Sequence, residues 1–384
     1  MKLFHLADLH LGKRLNEYSL IEDQRHILDQ VLALADAEHP DAIVVAGDVY
    51  DKAMPSAEAV SLFDDFLWGV AQRGLACLVV SGNHDSPERL SFGSRLMGGS
   101  RIHMSRCYRP DERPVTFEDE HGTVCFHLLP FVKPIHVRRA LEERYPDEAE
   151  AIGDYTDAVR AAIAHMGVDE SRRNVLVAHQ FVAGSVRSDS EEVHVGGLDN
   201  VDPHVFDPFD YVALGHLHAP QRVLRDTVRY SGTPLKYSFS EAAHRKSVTV
   251  VELGRKGEVA VDTLPLVPLH DLREIRGTYD ELVLRRNWEG TNVEDFIGVT
   301  LTDEDDVPYA IEKLRLIYPN IMQLAYDNTR TRTNQALETV EHVEELTPME
   351  LFSRFFESQN NQPMSERQRE VVAAAIESVW EVAS

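Results

Sequence analysis

The chain has 384 residues, more than one typical globular core, which predicts two domains or one large domain with appendages. A charged fraction of 27% and a hydrophobic fraction of 43% exclude wholesale disorder and a fibrous repeat. The formal net charge of −25 argues against binding nucleic acid through bulk positive charge, although a metal site or a local basic surface leaves DNA binding open.

The first two-thirds of the chain alternates short apolar runs with amphipathic stretches, which predicts an α/β fold. Helical spacing of apolar residues predicts helices over 23–38 and 56–73, the second with Pro55 and Ser56 as start signals. Strands are predicted where apolar residues show little alternation, as in strands covered on both faces: 2–7, 42–46, 75–80, 124–129, 174–178 and 211–214.

From residue 227 to 268 the pattern changes to short strands and turns, with a hairpin predicted from 248–253 and 259–264. This hairpin closes the first predicted domain, residues 1–268. Segments 296–302, 307–318 and 321–326 then predict a strand, a helix and a strand in a second, smaller domain, residues 269–335. Pro319-Asn320 is expected to end that helix.

The segment 336–384 is acidic and carries two apolar stripes at helical spacing. The stripes are Leu351, Phe352, Phe355 and Phe356, and Val372, Ile376, Val379 and Ala383. Two short helices cannot bury such faces on each other as a stable independent core. The segment therefore either folds back on the body or docks on another protein, and the sequence leaves both open.

Cysteine usage and hydropathy bear on the compartment. Cys77, Cys107 and Cys125 show no C-x-x-C spacing and are odd in number, which supports neither a disulfide framework nor a thiolate zinc site. Lys2, His5 and Asp8 interrupt the first apolar run before a signal-peptide core can form, and no later run reaches spanning length. We expect a cytoplasmic protein with no membrane segment.

Polar clusters follow five of the predicted strands, where an open α/β sheet presents its reactive side chains. The clusters are Asp8-Leu9-His10, Gly47-Asp48, Gly82-Asn83-His84-Asp85, His179, and Gly215-His216-Leu217-His218. Their carboxylate, imidazole and amide groups suit divalent Mn, Fe or Zn, and the lack of thiolate disfavours a structural zinc. His5 is out of phase with the clusters and is expected to be an ordinary satisfied histidine.

The number of ligands points to two metal ions. The period-2 geometry of an extended chain directs Asp8 and His10 to one side, where they can share an ion. Asp48 offers two oxygens and can bridge to a second ion. In this arrangement Asn83, His179 and His216 complete one shell, and His218 returns to the other.

Each cluster alone is a weak signal, because Gly-Asp is a common turn and a single histidine often ends a polar strand. Gly-Asn-His-Asp is far rarer, and all five clusters in order, each after a predicted strand, make a chance arrangement improbable. The order D-x-H, G-D, G-N-H-D/E, H and G-H-x-H resembles that of the calcineurin-like metallophosphoesterases. Three segments are more narrowly similar to the SbcD-type nuclease subunits: 6–12, 47–51, and Tyr230-Ser231-Gly232-Thr233-Pro234 with Tyr237-Ser238-Phe239-Ser240-Glu241.

The resemblance implies a β-sandwich flanked by helices, followed by a small α+β capping domain that contacts DNA and a helical C-terminal segment that docks on a partner. It implies two divalent metal ions, Mn²⁺ favoured over Fe, Zn or Mg. The implied ligands are Asp8, His10, Asp48 and His218 on one ion and Asp48, Asn83, His179 and His216 on the other. His84 is implied to stabilise the transition state or protonate the leaving oxygen. Its neighbour Asp85 is expected to orient the His84 imidazole, with a turn cap as the alternative.

The function implied by the resemblance is a Mn-dependent phosphodiester hydrolase acting on DNA. It would be an ATP-dependent double-strand exonuclease and a single-strand and hairpin endonuclease, working with the SbcC ATPase in DNA repair, recombination and replication. A homodimer within a heterotetramer is the implied assembly. Two alternatives remain: a phosphatase of the same fold acting on small or protein substrates, and a catalytically inactive scaffold subunit. The intact set of ligands argues against the scaffold.

Overall fold

The computed structural model describes residues 1–186 and 200–329, and beyond them only 331–332, 349, 352–353, 356, 364–365, 367–369, 371–372 and 376. The chain divides into two compact units, Met1–Asp271 and Leu272–Ser384. In the predicted docking segment 336–384, Phe352, Phe356, Val372 and Ile376 are helical. The other stripe residues, Leu351, Phe355, Val379 and Ala383, lie outside the described residues.

The first unit alternates strands and helices as the sequence predicts. Its strands are β1 (Lys2–Leu6), β2 (Arg14–Leu15), β3 (Tyr18–Ser19), β4 (Ala42–Ala46), β5 (Ala76–Val80), β6 (Ile102–Met104), β7 (Val115–Asp119), β8 (Gly122–Leu129), β9 (Arg173–His179), β10 (Tyr211–Gly215), β11 (Gln221–Val223), β12 (Arg225–Tyr230), β13 (Ser247–Leu253) and β14 (Val259–Pro265). Its helices are α1 (Ile21–Glu38), α2 (Ala57–Gln72), α3 (Pro87–Leu90), α4 (Ser94–Met97), α5 (Pro134–Leu141), α6 (Pro146–Ala151) and α7 (Tyr155–Ala164).

Two six-stranded sheets organise this unit, in the orders β14-β13-β1-β4-β5-β6 and β11-β12-β10-β9-β8-β7. The central strands β1, β4, β5 and β6 are mutually parallel, and so are β8, β9, β10 and β12. Antiparallel strands form both edges of the second sheet and one edge of the first, whose other edge is the parallel strand β6. The carboxyl ends of parallel neighbours therefore meet at one edge of each sheet, which is where the polar clusters lie.

The inner faces of the two sheets form one apolar core, because alternate residues of a strand point to the same side. The first sheet contributes Leu3, Val44, Leu78 and their neighbours, and the second contributes Val124, Phe126, Val175, Val177, Tyr211 and Ala213. The opposite face of the second sheet packs on α5 and α7 in a separate cluster. The result is a β-sandwich flanked by helices, as expected.

Helix α2 shows how the predicted signals act locally. The Ser56 hydroxyl accepts a hydrogen bond from the Ala59 amide at 3.2 Å, which satisfies one of the free N–H groups of the first turn. Leu62, Phe63 and Phe66 are buried on one face of the helix. The predicted start of this helix is therefore confirmed.

The second unit contains a three-stranded parallel sheet in the order β15-β16-β17, with strands β15 (Leu272–Gly277), β16 (Phe296–Leu301) and β17 (Ile321–Tyr326). Its helices are α8 (Tyr279–Val283), α9 (Arg285–Trp288) and α10 (Ala310–Leu314). The helix predicted over 307–318 is wrong in its extent. Tyr309 has a φ of 56°, in the left-handed region, so the helix begins only at Ala310. In the described part of the chain, no helix is long and apolar enough to span a bilayer.

Candidate metal centre

The loops that follow β1 and β4 run side by side. The amide of Asp8 donates to the Gly47 carbonyl at 3.0 Å, and the amide of His10 donates to the Asp48 carbonyl at 2.9 Å. These bonds extend the parallel pairing of β1 and β4 beyond the strands. These backbone hydrogen bonds hold the Asp8-Leu9-His10 and Gly47-Asp48 clusters side by side.

Four of the predicted ligands have left-handed backbone conformations, which are uncommon for residues with a side chain. The φ angles are 54° at Asp8, 43° at His10, 48° at Asp48 and 108° at His216. Such conformations persist only where the surroundings hold them, and they concentrate at functional sites. Here they turn each side chain out of the strand direction and towards the common centre.

Position 82 requires a glycine because the Asp48 carboxylate packs directly against its Cα atom, not because of an unusual φ angle. A Cβ atom on Gly82 would lie 2.1 Å from Asp48 Oδ1, far below the van der Waals contact distance between carbon and oxygen. The glycine of the third cluster therefore admits the Asp48 carboxylate, whose Oδ1 accepts the His84 amide at 2.9 Å.

The structure brings all seven predicted ligands into two adjoining groups. In the first, Asp8, His10 and His218 place ligand atoms within 4.8 Å of one another. His10 Nε2 and His218 Nε2 face each other at 3.2 Å. In this group the chain also fixes Asp8, whose two carboxylate oxygens accept the His216 amide at 3.0 and 3.1 Å.

The second group contains Asp48, Asn83, His179 and His216. His179 Nε2 lies 3.3 Å from Asp48 Oδ2, and Asn83 Oδ1 lies 2.9 Å from His179 Nε2 and 3.0 Å from His216 Nδ1. His179 Nδ1 lies 2.9 Å from the Ala46 carbonyl, so that nitrogen carries the proton and Nε2 presents its lone pair to the centre. Asp48 Oδ2 is also 3.8 Å from His10 Nε2, so Asp48 borders both groups.

Burial and charge determine how these groups hold protons. Burial holds the pKa of His10 well below its usual value, against the opposing pull of Asp48, so His10 is a neutral ligand. Burial alone would also lower the pKa of His179, but the adjacent Asp48 carboxylate outweighs it and raises that pKa to about 9. A divalent cation competes with this proton for His179 Nε2. The donor set of carboxylate and amide oxygens with imidazole nitrogens fits divalent first-row ions.

His84 lies at the edge of the two groups, with Nε2 4.0 Å from Asp48 Oδ2. Its Nδ1 lies 3.0 Å from the Asp51 carbonyl oxygen, so the backbone of the second cluster orients this imidazole. His84 is 22% exposed at its side chain, whereas the predicted ligands Asp48 and His179 are almost fully buried. It can therefore contact a substrate that the buried ligands cannot reach.

Asp85 does not orient His84, contrary to the expectation from their adjacency. Its carboxylate accepts amide hydrogens from Val49 at 3.1 Å, Tyr50 at 2.9 Å and Gly82 at 2.9 Å. Burial, reinforced by the Asp48 charge, raises the pKa of Asp85 to about 6. Asp85 is therefore a cap that ties the loop after β4 to the loop after β5, which is the turn-cap alternative.

A buried ion pair between Glu241 and Lys246 lies behind His218, and the sequence analysis did not assign either residue to the site. Glu241 Oε1 is 3.4 Å from His218 Nδ1, and Lys246 Nζ donates to Glu241 Oε2 at 2.5 Å. Lys246 also donates to the His218 carbonyl at 3.0 Å and to the Thr233 hydroxyl at 2.6 Å. A carboxylate on the far nitrogen of a ligating histidine fixes its ring orientation and increases its basicity.

Gln24 and Tyr237 hold the first cluster in the same indirect way. Gln24 Oε1 accepts the Gly12 amide at 2.9 Å, and its Nε2 donates to the His10 carbonyl at 2.7 Å. The Tyr237 hydroxyl donates to the Leu9 carbonyl at 2.5 Å. Tyr237 and Glu241 belong to the segment that carries the narrower sequence similarity, whereas Gln24 has no such signal.

Comparisons with known proteins show which family the chain belongs to. The calcineurin-like phosphoesterase family model matches residues 1–220, and a model described as type 5 capsule protein repressor C-terminal domain matches residues 268–360. The SbcD component of nuclease SbcCD from Staphylococcus saprophyticus subsp. saprophyticus is 31% identical over 388 residues, covering 100% of each chain. The protein of the same name from Staphylococcus epidermidis is 31% identical to this chain over 381 residues, and the alignment covers 97% of each chain.

Proposed function

The chain belongs to the calcineurin-like phosphoesterases and, within them, to the SbcD family of SbcCD nuclease components, and on that premise we propose that it is a two-metal, Mn-dependent phosphodiesterase that cuts DNA. One observation carries the proposal: side chains from five separate loops converge in two adjoining groups of metal-binding atoms at the carboxyl ends of parallel strands. Nuclease is also the activity named for the full-length relatives.

The proposed ligands divide between two ions. Asp8, His10 and His218 hold one ion, and Asn83, His179 and His216 hold the other. Asp48 is shared, which is supported by its distances of 3.8 Å to His10 and 3.3 Å to His179. A pair of divalent ions in such a site supplies a nucleophile at neutral pH and neutralises charge on a phosphodiester. Manganese is proposed as the ion because imidazole and carboxylate ligands together suit it.

His84 is the proposed catalytic residue. Because its Nδ1 hydrogen is donated to the Asp51 carbonyl, Nε2 carries a proton only in the imidazolium form. His84 Nε2 lies 4.0 Å from Asp48 Oδ2, and its proton can be given to the leaving oxygen of the cleaved strand. Asp85 is proposed as a positioning residue only, since it holds the backbone of both loops.

The proposed substrates are double-strand DNA ends, hairpins and single strands, cut as an exonuclease and an endonuclease under the control of ATP hydrolysis by an SbcC-type partner. This proposal is supported by the names of the relatives and by the match of residues 268–360 to a second family model. It places the protein in the cytoplasm, with the DNA, in repair, recombination and replication. The segment 336–384 is the proposed docking site for the partner.

A homodimer within a heterotetramer is the proposed assembly. Large apolar side chains are exposed on the first unit, and burying them against a second copy would remove that surface from water. Val60 and Trp68 lie two turns apart on α2 with 45% and 66% exposure, and Phe92 and Leu96 are 83% and 88% exposed.

The test is digestion of a linear duplex in Mn²⁺, with and without the partner ATPase and ATP, comparing the wild-type protein with His84→Ala. We expect the variant to keep two ions per chain and to lose about 10²- to 10⁴-fold in cleavage rate, as is typical when a general acid is removed. If the wild-type protein hydrolyses phosphomonoesters and ignores DNA, a phosphatase replaces this proposal. If it binds no metal and cuts nothing, the inactive scaffold replaces it.

A further inference from the structure

A further group of polar residues lies in the first unit, at the carboxyl ends of β6, an edge strand of the first sheet, and β8 of the second sheet. A cavity of about 310 Å³ opens there between the two sheets. This volume is at the lower end of the range for small-molecule sites. Its lining contains four arginines, Arg95, Arg106, Arg109 and Arg113, and one acidic residue, Glu112.

The arginines make this cavity basic in a chain whose net charge is −25. Arg106 pairs with Glu112 at 2.9 Å. Arg95, Arg109 and Arg113 are exposed, and none of their side chains has an ion pair or hydrogen bond with any residue that the structure describes. Three unpaired guanidinium groups around one opening suit a multiply charged oxyanion, because each presents a fork of N–H donors.

One residue of the cavity lining, His127, has a buried ring nitrogen without a partner among the described residues. His127 is 3% exposed, and its Nε2 lies 3.1 Å from Asn174 Oδ1. Asn174 Nδ2 donates to the carbonyls of Asp169 at 2.8 Å and Arg172 at 3.0 Å, which fixes the amide so that Oδ1 faces the ring. His127 must therefore donate from Nε2, which leaves Nδ1 as a buried acceptor with no hydrogen bond in the described structure.

A neutral imidazole carries a hydrogen on only one of its nitrogens, so a neutral His127 that donates from Nε2 has no hydrogen on Nδ1. Burial lowers the pKa of His127, and the Asn174 hydrogen bond opposes that effect without overcoming it. The Tyr108 hydroxyl, also in the lining, is a second buried polar group with no partner among the described residues. The remaining wall is largely apolar and includes Met104, Val115, Leu128, Pro130 and Met166.

We propose that this cavity binds a nucleoside monophosphate, with the phosphate on the exposed arginines and the base inside, where a ring N–H or amino group donates to His127 Nδ1. An inorganic anion satisfies the arginines but not the interior acceptor, and an apolar ligand satisfies neither. The choice of a nucleotide among organic phosphates rests on the proposed function, whose products are nucleotides.

The cavity wall is joined to the metal centre through the backbone. The Ser105 hydroxyl, in the cavity lining, accepts the Ser81 amide at 3.3 Å, and the Phe131 amide donates to the Ser81 carbonyl at 2.8 Å. Ser81 precedes the Gly82-Asn83-His84 loop, and the Phe131 ring lies 6.2 Å from the His179 ring. The nucleotide can therefore be a released product or the terminal nucleotide of a strand held at the metal centre.

The test is calorimetric titration of the full chain with the four deoxynucleoside 5′-monophosphates, in chelator so that metal ions cannot bind the phosphate. The variant pair is Arg109→Ala with Arg113→Ala, and the matched control is Arg139→Ala with Arg255→Ala, two exposed arginines outside the cavity lining. We expect at least about a tenfold loss of affinity in the cavity variant, because it removes charge-assisted hydrogen bonds to the phosphate, and less than a twofold change in the control. Melting temperatures of both variants establish that they are folded.

Three further titrations separate the outcomes. Nucleotide binding that inorganic phosphate matches in affinity overturns the nucleotide assignment, as does equal binding of the nucleoside without phosphate. Binding that the cavity variant does not weaken, or no binding at millimolar nucleotide, overturns the site. Tighter binding of a 5′-phosphorylated oligonucleotide than of the mononucleotide identifies the strand terminus as the source. DNA digestion by the same preparations reports on the nuclease independently, since nucleotide binding without cleavage rejects only the proposed function.

Discussion

The metal centre and the arginine-lined cavity both lie at carboxyl ends of parallel strands, yet their polar groups are held in opposite ways. At the metal centre, Asp8, Asp48 and His179 each contact several other groups of the centre. In the cavity, Arg109, Arg113 and His127 Nδ1 have no such contacts within the described residues. Groups that bind each other are organised before a ligand arrives, whereas isolated groups must be organised by the ligand itself. The first arrangement suits catalysis and the second suits reversible binding.

Removing the shared carboxylate of Asp48 should have the largest effect on the metal centre. Because Asp48 borders both groups of ligands, Asp48→Ala should lose both ions rather than one, and DNA cleavage should fall to the background without metal. This loss should exceed the 10²- to 10⁴-fold loss expected for His84→Ala. Metal content by mass spectrometry measures it. The control is Asp65→Ala, an exposed carboxylate that pairs with Arg25 outside the metal centre. Retention of one ion at full affinity in Asp48→Ala would contradict the shared role.

The buried pair behind His218 tests whether the organisation extends beyond the ligands. Glu241→Gln should weaken metal binding by about 10- to 100-fold, the usual effect of removing the carboxylate behind a ligating histidine. It should also lower the free energy of unfolding, because Lys246 is left buried without its partner. Adding Lys246→Met should restore part of that stability without restoring metal affinity. If the double variant regains affinity, Glu241 acts on stability alone.

The hydroxyls of Tyr237 at the metal centre and Tyr108 at the cavity are both buried, but they differ in their hydrogen bonds. Tyr237→Phe removes a hydroxyl bonded to Leu9 and Gln24, and should cost about 1–2 kcal/mol in the free energy of unfolding. Tyr108→Phe removes a cavity hydroxyl with no partner among the described residues, and should change stability by less than about 0.5 kcal/mol. Urea denaturation of both variants measures the difference. Equal costs would mean that the Tyr108 hydroxyl is satisfied in solution.

His5 provides the smallest test, since it is a buried histidine with both ring nitrogens in contact. Nδ1 lies 2.9 Å from the Tyr211 hydroxyl and Nε2 lies 3.2 Å from the Leu214 carbonyl, as expected for a satisfied histidine. Burial lowers the pKa of His5 from 6.5 to about 3. Below pH 6.5 the unfolded chain therefore binds a proton at His5 that the folded chain does not bind. The free energy of unfolding consequently decreases as the pH is lowered.

The expected loss from His5 is about 1.4 kcal/mol between about pH 8 and about pH 5.5. His5→Gln cannot titrate and should lack this part of the loss. Urea denaturation in chelator at the two pH values measures it, with the other histidines common to both proteins. A pH dependence identical in the variant and the wild-type protein would show that His5 is protonated in the folded state.

The sequence predicted the central strands and the metal-binding clusters because both depend on local patterns. A strand buried on two faces is continuously apolar, and the polar residues at its end are next to it in the chain, as Asp48 is next to β4. The prediction that Asp85 orients His84 was wrong because it also relied on a local pattern. Adjacency to His84 suggested a contact, but the fold turns its carboxylate towards the amides of Val49 and Tyr50.

The features that the sequence did not reveal depend on residues far apart in the chain. Gln24 is 14 residues from His10, and Glu241 is 23 residues from His218, with no spacing rule to relate them. The cavity is formed by β6 and β8 and the loops around them, and β6 has only three residues, too few for a reliable pattern. A basic site in a strongly acidic chain becomes visible only when the strands are placed in space.

The contact between His10 and His218 joins residues 208 positions apart in the chain. During synthesis, the first ligands therefore leave the ribosome long before the last, and no early fragment contains the complete set. A chain interrupted before His216 would contain four of the five clusters and be unable to close the centre. The order of the clusters thus delays assembly of the centre until the strands of both sheets that carry it have been made.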